Sequence, residues 1–469
     1  MLQPGPRPGR IFTRRRVWCA IGFGVCGPLV TVALAWSAVY WQAQRSLDAE
    51  IARIVARGEP LTFADLAPSP GAELRRGEEL LALLEQVPRP TKLCREMLDG
   101  EARYSRDNIR KLREEVLANR DLVARIVEST RDREILFPVE TDHALPADAK
   151  LPHVMKLRHV STHLRAEGLD AELSADRKRV GQAIADGLDI VRVARHDPFL
   201  VGALVRSAHI RYAIDDLGIA LGGGPLPDQE AQAIDDRLKR LSGEFAIAPA
   251  LWGDRAMVFE TLARVGSEDI ERYLRELEAE PSAAHASAGA AGPLSSFWCG
   301  SWLYRPRLLE QQAFALRAYT DMAHLIDAPG PDGQLAFNYA LRLISDERRK
   351  HHLVSLQLVS FDALRTAGLQ SRQDMNLGRL GVRIVAFAFE RGALPQSLAD
   401  VLDRSSQSLA IGLFSGERIA YERRENGFAL SEFEPGITEP AALFDVRFRK
   451  PFGASGIVRE DLNEADNDE

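Results

Sequence analysis

Asp197–Gly224 reads DPFLVGALVRSAHIRYAIDDLGIALGGG. Asp197 offers a side-chain oxygen to cap a helix, Pro198 takes the first helical position, where its missing N–H costs nothing, and the run to Leu221 stops at three glycines. The pattern repeats on both sides. Upstream, Val154, Leu157, Val160 and Leu164 fall on one helical face, and Asp176–Arg195 carries Val180, Ile184, Leu188 and Val191 at the same spacing. Downstream, Gln229–Leu241, Leu251–Val265 and Glu268–Glu280 continue the series. Residues 153–280 therefore predict a helical array whose short loops make neighbours antiparallel. Its cadence is tetratricopeptide-like in outline, without an alignable repeat. The expected fold class is mainly α.

Before the array, residues 42–152 form a juxtamembrane helical region. Leu47, Ile51, Ile54 and Val55 make an amphipathic stripe ended by Gly58 and Pro60, and Thr62 with Asp65 has the spacing of a helix-capping pair. Ala72–Val87 and Arg106–Glu128 read as helices, the second with a core stripe through Leu112, Val116, Val123, Ile126 and Val127. Residues 131–152, with three prolines, read as an extended connection. After the array come a breaker-rich linker at 281–296 and a second helical region at 297–391 with helices over Arg307–Asp327, Gln334–Gln357 and Ser371–Arg391. A small strand-containing module follows at 392–458, with strand-like pieces at 419–421, 428–430 and 446–448, then an acidic tail at 459–469.

Residues 1–16 hold five arginines and no acid, and 17–41 is a 25-residue stretch without a charge, flanked by Trp18 and by Trp36, Tyr40 and Trp41. At 1.5 Å per residue such a stretch crosses a hydrocarbon core of about 30 Å. The rival reading is a cleaved signal peptide with Ala33-Leu34-Ala35 as its processing site; the length favours an anchor. The expectation is a bacterial inner-membrane, single-pass protein with a cytoplasmic N-terminus and an extracytoplasmic domain, its partners being the membrane and an unidentified protein.

The chain has 469 residues, 45% hydrophobic and 27% charged, and a net charge of −7, with the basic tail leaving the remainder more acidic still. Wholesale disorder is excluded, and an acidic body excludes nucleic acid as a partner. Cys94 and Cys299 lie outside the uncharged stretch and can either pair or remain two buried thiols.

Catalytic signatures are scarce. His159, His163 and Glu167 share a helical face, but a metal needs a further ligand and none is identifiable, so they read as a solvated polar face. Gly412-Leu413-Phe414-Ser415-Gly416 has the wrong spacing for a nucleophile elbow and reads as a turn. Gly222–Gly224 is followed by Pro225 rather than by a phosphate-binding lysine. Asp215-Asp216 and Asp235-Asp236 are adjacent on helices, so their carboxylates diverge. Phe297, Trp298, Trp302 and Tyr304 read as a satellite core, or, if exposed, as a docking patch. No catalytic residue, metal ligand or cofactor is assigned.

Gly392-Ala393-Leu394-Pro395-Gln396-Ser397-Leu398 and Leu413-Phe414-Ser415-Gly416, followed by Tyr421 and the Asn426-Gly427 turn, resemble the C-terminal segment of type II secretion pseudopilins over about 60 residues. Leu413 replaces the family's proline, and no prepilin cleavage motif precedes residue 17. The resemblance implies a small α+β module. The chain as a whole looks like a group of uncharacterised bacterial single-span envelope proteins, which carries no activity to transfer. The function expected is a non-enzymatic interaction scaffold; the alternative is an anchored hydrolase acting on envelope material.

Overall fold

The computed structural model describes residues 11–138, 151–264, 304–348, 350–351, 354, 360–404, 406–433 and 440–448, with side chains from residue 29 onward. The fold is mainly helical, with a small antiparallel three-stranded sheet near the C-terminus. By contacts the chain gathers into two units. The smaller comprises residues 1–59, 258–317 and 348–358; the larger comprises 60–257, 318–347 and 359–469.

Helix α1 (Ile11–Ala56) contains the uncharged stretch. The transmembrane expectation is corrected here: among the described residues no helix is long and apolar enough to cross a membrane. The single-pass, inner-membrane placement falls with it; the side chains of residues 17–28 lie outside the described ones. Further along α1, Leu47 and Ile54 are buried as expected, whereas Val55 is exposed. Elsewhere in the smaller unit, Phe314 stacks on His351 with ring centroids 4.3 Å apart, and Gln311 accepts a hydrogen bond from the Val354 N–H at 3.4 Å.

The larger unit opens with the Thr62–Asp65 pair. Thr62 N donates to Asp65 Oδ2 at 2.8 Å and Asp65 N to Thr62 Oγ1 at 3.3 Å, a reciprocal cap. Helices α2 (Ala72–Glu85), α3 (Lys92–Leu98) and α4 (Arg106–Thr130) follow. The Ser105 hydroxyl accepts from Asn108 N and starts α4, and Leu112, Val116, Val123, Ile126 and Val127 are buried along it. Next come α5 (Pro152–Leu173), α6 (Arg177–Val193), α7 (Leu200–Gly222), α8 (Asp228–Glu244) and α9 (Ala248–Ala263). One core joins Leu80 and Leu84 of α2, Val123 and Ile126 of α4, Leu157 and Val160 of α5 and Ile190 of α6.

The start of α7 differs from expectation. Phe199 is its N-cap and makes no side-chain cap bond, so Pro198 lies before the helix, not at its first position. Asp197 Oδ1 instead accepts from Phe199 N at 3.0 Å, and its other oxygen is engaged elsewhere.

Helices α10 (Arg305–Leu325), α11 (Gly330–Arg348) and α12 (Phe361–Arg391) complete the set. The last begins ten residues earlier than the hydrophobic period suggests, because the Ser360 hydroxyl caps it through Ala363 N. Strands β1 (Ala420–Arg424), β2 (Gly427–Phe433) and β3 (Pro440–Arg447) form the meander, with order β1-β2-β3. The β3 strand packs on both α7 and α12. Gly381 permits this contact: a Cβ there would sit 2.2 Å from the Phe444 ring. Leu394 and Leu398 are buried with Ile384 and Val385, while Phe389 is 49% exposed and outside that core. Residues 265–280, 281–296 and 459–469 lie outside the described residues.

The Gly412–Gly416 segment is a turn, and it closes on a buried carboxylate. Glu432, on β2 and 2% exposed, accepts from Leu413 N at 3.1 Å, Phe414 N at 2.7 Å, Ser415 N at 2.8 Å and Ser415 Oγ at 3.1 Å. These donors surround the anion in place of water, which is the condition for burying a charge. Glu432→Ala should therefore cost about 3 kcal/mol or more, since three donors lose their acceptor while Leu413 N keeps Gln373 Oε1 at 3.2 Å, and Glu432→Gln less. Urea denaturation should show both midpoints lowered in that order; wild-type midpoints for both would contradict the anchoring role.

Candidate functional site

Two places in the larger unit gather chemistry. The first is where α5 and α7 begin. Pro152 opens α5, which puts His153 in its first turn. His153 Nε2 lies 3.0 Å from Asp197 Oδ2, with side chains 5% and 0% exposed. The Phe137 ring stacks on the imidazole at 4.1 Å. Asp254 of α9 accepts from Leu200 N at 3.4 Å, so two carboxyl groups, Asp197 and Asp254, hold the first residues of α7. Burial pushes the Asp254 carboxyl up to about 7, and the Asp197 charge adds to that shift.

Around this cluster, His196 Nε2 lies 3.0 Å from Glu134 Oε2, and Arg195 binds both Glu134 and Glu244. A pocket of about 260 Å³ including its open mouth is lined by Phe137, Leu151, His153, His196, Asp197 and Pro198, among others. Among the described residues its lining holds two imidazoles and a carboxylate but no serine, threonine or cysteine. The pair can hold or pass a proton; its hydrogen bonds tie the start of α5 to the start of α7.

The sequence candidates are placed as follows. His163 is buried, with Nε2 3.2 Å from the Pro88 carbonyl, so it is not on a solvated face. Burial holds His159 below the usual imidazole range. Glu167 turns to Arg179 at 3.6 Å and Arg120 at 3.8 Å. The helix packs His163 against the α3–α4 side, which is why that imidazole is not solvated, while His159 is half-buried. Asp216 pairs with Arg165 at 3.0 Å, and Asp235 binds Arg379 at 2.7 Å and Arg383 at 3.2 Å, so the adjacent carboxylates do take separate partners. Ser161 Oγ lies 3.4 Å from His209 Nδ1; both side chains are buried, and burial pushes His209 down to about 4. Cys94 is a buried free thiol, pushed up to about 12 by burial. Cys299, Phe297, Trp298 and Trp302 lie outside the described residues, and Tyr304 accepts from Gln311 at 2.8 Å.

The second place is the outer face of α7. Apolar residues occur on every side of this helix, which normally marks a helix buried all round. Yet Val201 is 57% exposed and Ile219 56%, with Leu204, Ala208 and Tyr212 also exposed between them. From Val201 to Tyr212 these residues recur every three or four positions; Asp215 takes the next place and Ile219 the one after, so the ridge is about 27 Å long. Met155 of α5 is exposed as well. Arg165 of α5 lies over the Tyr212 ring at 4.5 Å. On the same face Arg211 and Asp215 are exposed, and Asp374 of α12 faces them. Sequence reading missed Asp254, Asp374 and Glu432, whose flanking residues give no signal that sets them apart.

The chain matches no known family, no curated protein and no solved structure.

Two outcomes test the first cluster. Removing the imidazole leaves Asp197 buried with one partner fewer, so His153→Ala should destabilise the larger unit by about 3–5 kcal/mol, read as a lowered urea midpoint. Asp254 sets a pH dependence. Its folded value of about 7 stands above 3.8, the unperturbed value, so between the two the folded chain keeps a proton that the unfolded chain has lost. Its contribution therefore falls as pH rises from about 4 to about 7 and is level beyond. Asp254→Asn should flatten that part of the midpoint-versus-pH curve; an unchanged slope would contradict the assignment.

Proposed function

We propose that this chain is a non-enzymatic interaction scaffold that docks an amphipathic helix of a partner protein along the outer ridge of α7. The observation that carries the reading is the exposure of Val201, Leu204, Tyr212 and Ile219 on a helix whose other sides are built into the core. Leaving an apolar ridge in water, interrupted only at Asp215, has no structural benefit, and the i, i+3 and i+7 spacing of Val201, Leu204 and Ala208 suits a helix laid alongside. A partner helix of about 18 residues matches the ridge in length. The short-looped helices around α7, tetratricopeptide-like in outline, suit a docking role. The pseudopilin resemblance of residues 392–402 and 413–421 belongs to this proposal as well: it supplies a small sheet module that packs on α7 and α12.

A second reading, a hydrolase, rests on the His153–Asp197 pair beside its pocket. It asks for activation of water by an imidazole, because no side-chain nucleophile lines that pocket among the described residues.

Site-specific photo-crosslinking separates the two. A crosslinking residue at Ala208 should give a discrete adduct in the native host, and the adduct should disappear when Val201→Glu and Leu204→Glu are introduced together. The same residue at Asp121, exposed on α4, should give none. An Ala208 adduct indifferent to the double substitution, or no adduct at all, would overturn the docking reading.

A further inference from the structure

Helix α11 is held to the larger unit by one side. Phe337 and Ile344 are buried, Arg365 lies over the Phe337 ring at 5.0 Å and donates to Gln334 at 2.8 Å, and Gly330 N donates to the Leu413 carbonyl at 2.8 Å. A helix fixed in this way should turn polar residues outward. Instead Leu335 is 72% exposed, Tyr339 67% and Leu343 51%, stacked one turn apart at i, i+4 and i+8. Asp332 and Arg342 are exposed beside this stripe, and among the described residues neither makes a hydrogen bond or ion pair. Their placement is symmetric. Asp332 stands five residues before Phe337 and Arg342 five after it, while Leu335 stands two before and Tyr339 two after. Turned end for end, the face is its own complement: acid meets base, and leucine meets tyrosine.

We infer that α11 packs antiparallel against α11 of a second copy of this chain, about a two-fold axis level with Phe337. In that register Leu335 lies against Tyr339 of the second copy, Leu343 against its Pro331, and Asp332 opposite its Arg342. Each contact occurs twice, as pairing about a two-fold axis requires. Asp346 reaches the level where the second copy's helix starts, and the partial positive charge of a helix N-terminus favours a carboxylate there. Sliding the second copy by one turn, to an axis level with Tyr339, would set Asp332 opposite Asp346 twice, so charge selects the first register over the second. The apolar stripe supplies the contact area. It lies at the small end of specific interfaces, so the pairing depends on concentration, and the ion pairs fix its register more than its strength. The pairing goes beyond the docking reading and is independent of it, because it uses a different helix.

The test uses the purified full chain with a photo-crosslinking residue at Leu335. Irradiation should give an adduct of twice the chain's mass, with the crosslink mapped to the Tyr339 segment of the second copy. Asp332→Arg alone, or Arg342→Asp alone, sets like charges opposite each other twice. Each should cut the adduct about tenfold, as expected when two exposed attractive pairs become repulsive. Mixed in equal amounts, the two variants should recover the adduct, because each supplies the charge that the other needs. Both positions are exposed, so neither reversal should disturb the fold. The Val201→Glu/Leu204→Glu chain should crosslink like the wild type. No adduct at this mass, an adduct indifferent to the charge reversals, or no recovery in the mixture would overturn the inference and leave the docking reading intact. An adduct lost instead in the Val201→Glu/Leu204→Glu chain would place the second copy on the α7 ridge and overturn the inference as well.

Discussion

The larger unit depends on how closely α12 can approach α7. Gly378 of α12 faces Ile214, and a Cβ there would lie 2.7 Å from its Cδ1. One turn further on, Gly381 leaves room for Phe444 of β3. This pair of missing side chains lets the two helices and the sheet share one apolar layer, in which Leu217, Leu377, Leu380, Phe428 and Val446 are fully buried. Close packing of this kind tolerates little change in volume, and larger residues at either glycine would force the layer apart. With α5 and α6 also packed on it, α7 has one side left, and that side is the exposed ridge.

Polar groups inside the unit mostly serve to place helices. The His153–Asp197 pair and Asp254 hold the start of α7. Asp327 accepts from Ile247 N and Ala248 N and so holds the start of α9. Arg365 donates to the carbonyls of Leu325 and Ile326 at the end of α10. Each joins a charge to the backbone groups that a helix end leaves without partners. Asp374 does not follow this rule, since it meets neither a helix end nor a donor among the described residues.

The helices were legible in the sequence because their burial is one-sided: Val116, Val123 and Ile126 announce α4 by spacing alone, and the capping hydroxyls and carboxyls mark several starts. The strands were legible from their turns, with positive φ at Gly416 and Gly427. The first turn of α7 was not, because Asp197 is drawn off by His153, a contact 44 residues away in sequence. His163 was misplaced for a related reason: a polar residue on a helix face looks solvated until the partner helix is known. The ridge was hidden too, because a helix apolar all round gives no periodicity to show which side remains uncovered. Reading residues 17–41 as a span rested on length and lack of charge, and among the described residues no helix meets those conditions.

The central claim is that no described residue of the chain covers the α7 ridge. Thermal denaturation of a Val201→Gln, Leu204→Gln, Ile219→Gln triple variant tests it most directly. Substitutions at truly exposed positions change stability by no more than about 0.5 kcal/mol each, whereas losing a buried aliphatic side chain costs about 2 kcal/mol or more. The account predicts a midpoint at or near that of the wild type, together with reduced binding of a hydrophobic dye. A midpoint lowered by many degrees would show that the ridge is buried by the chain itself, and the docking account would be contradicted.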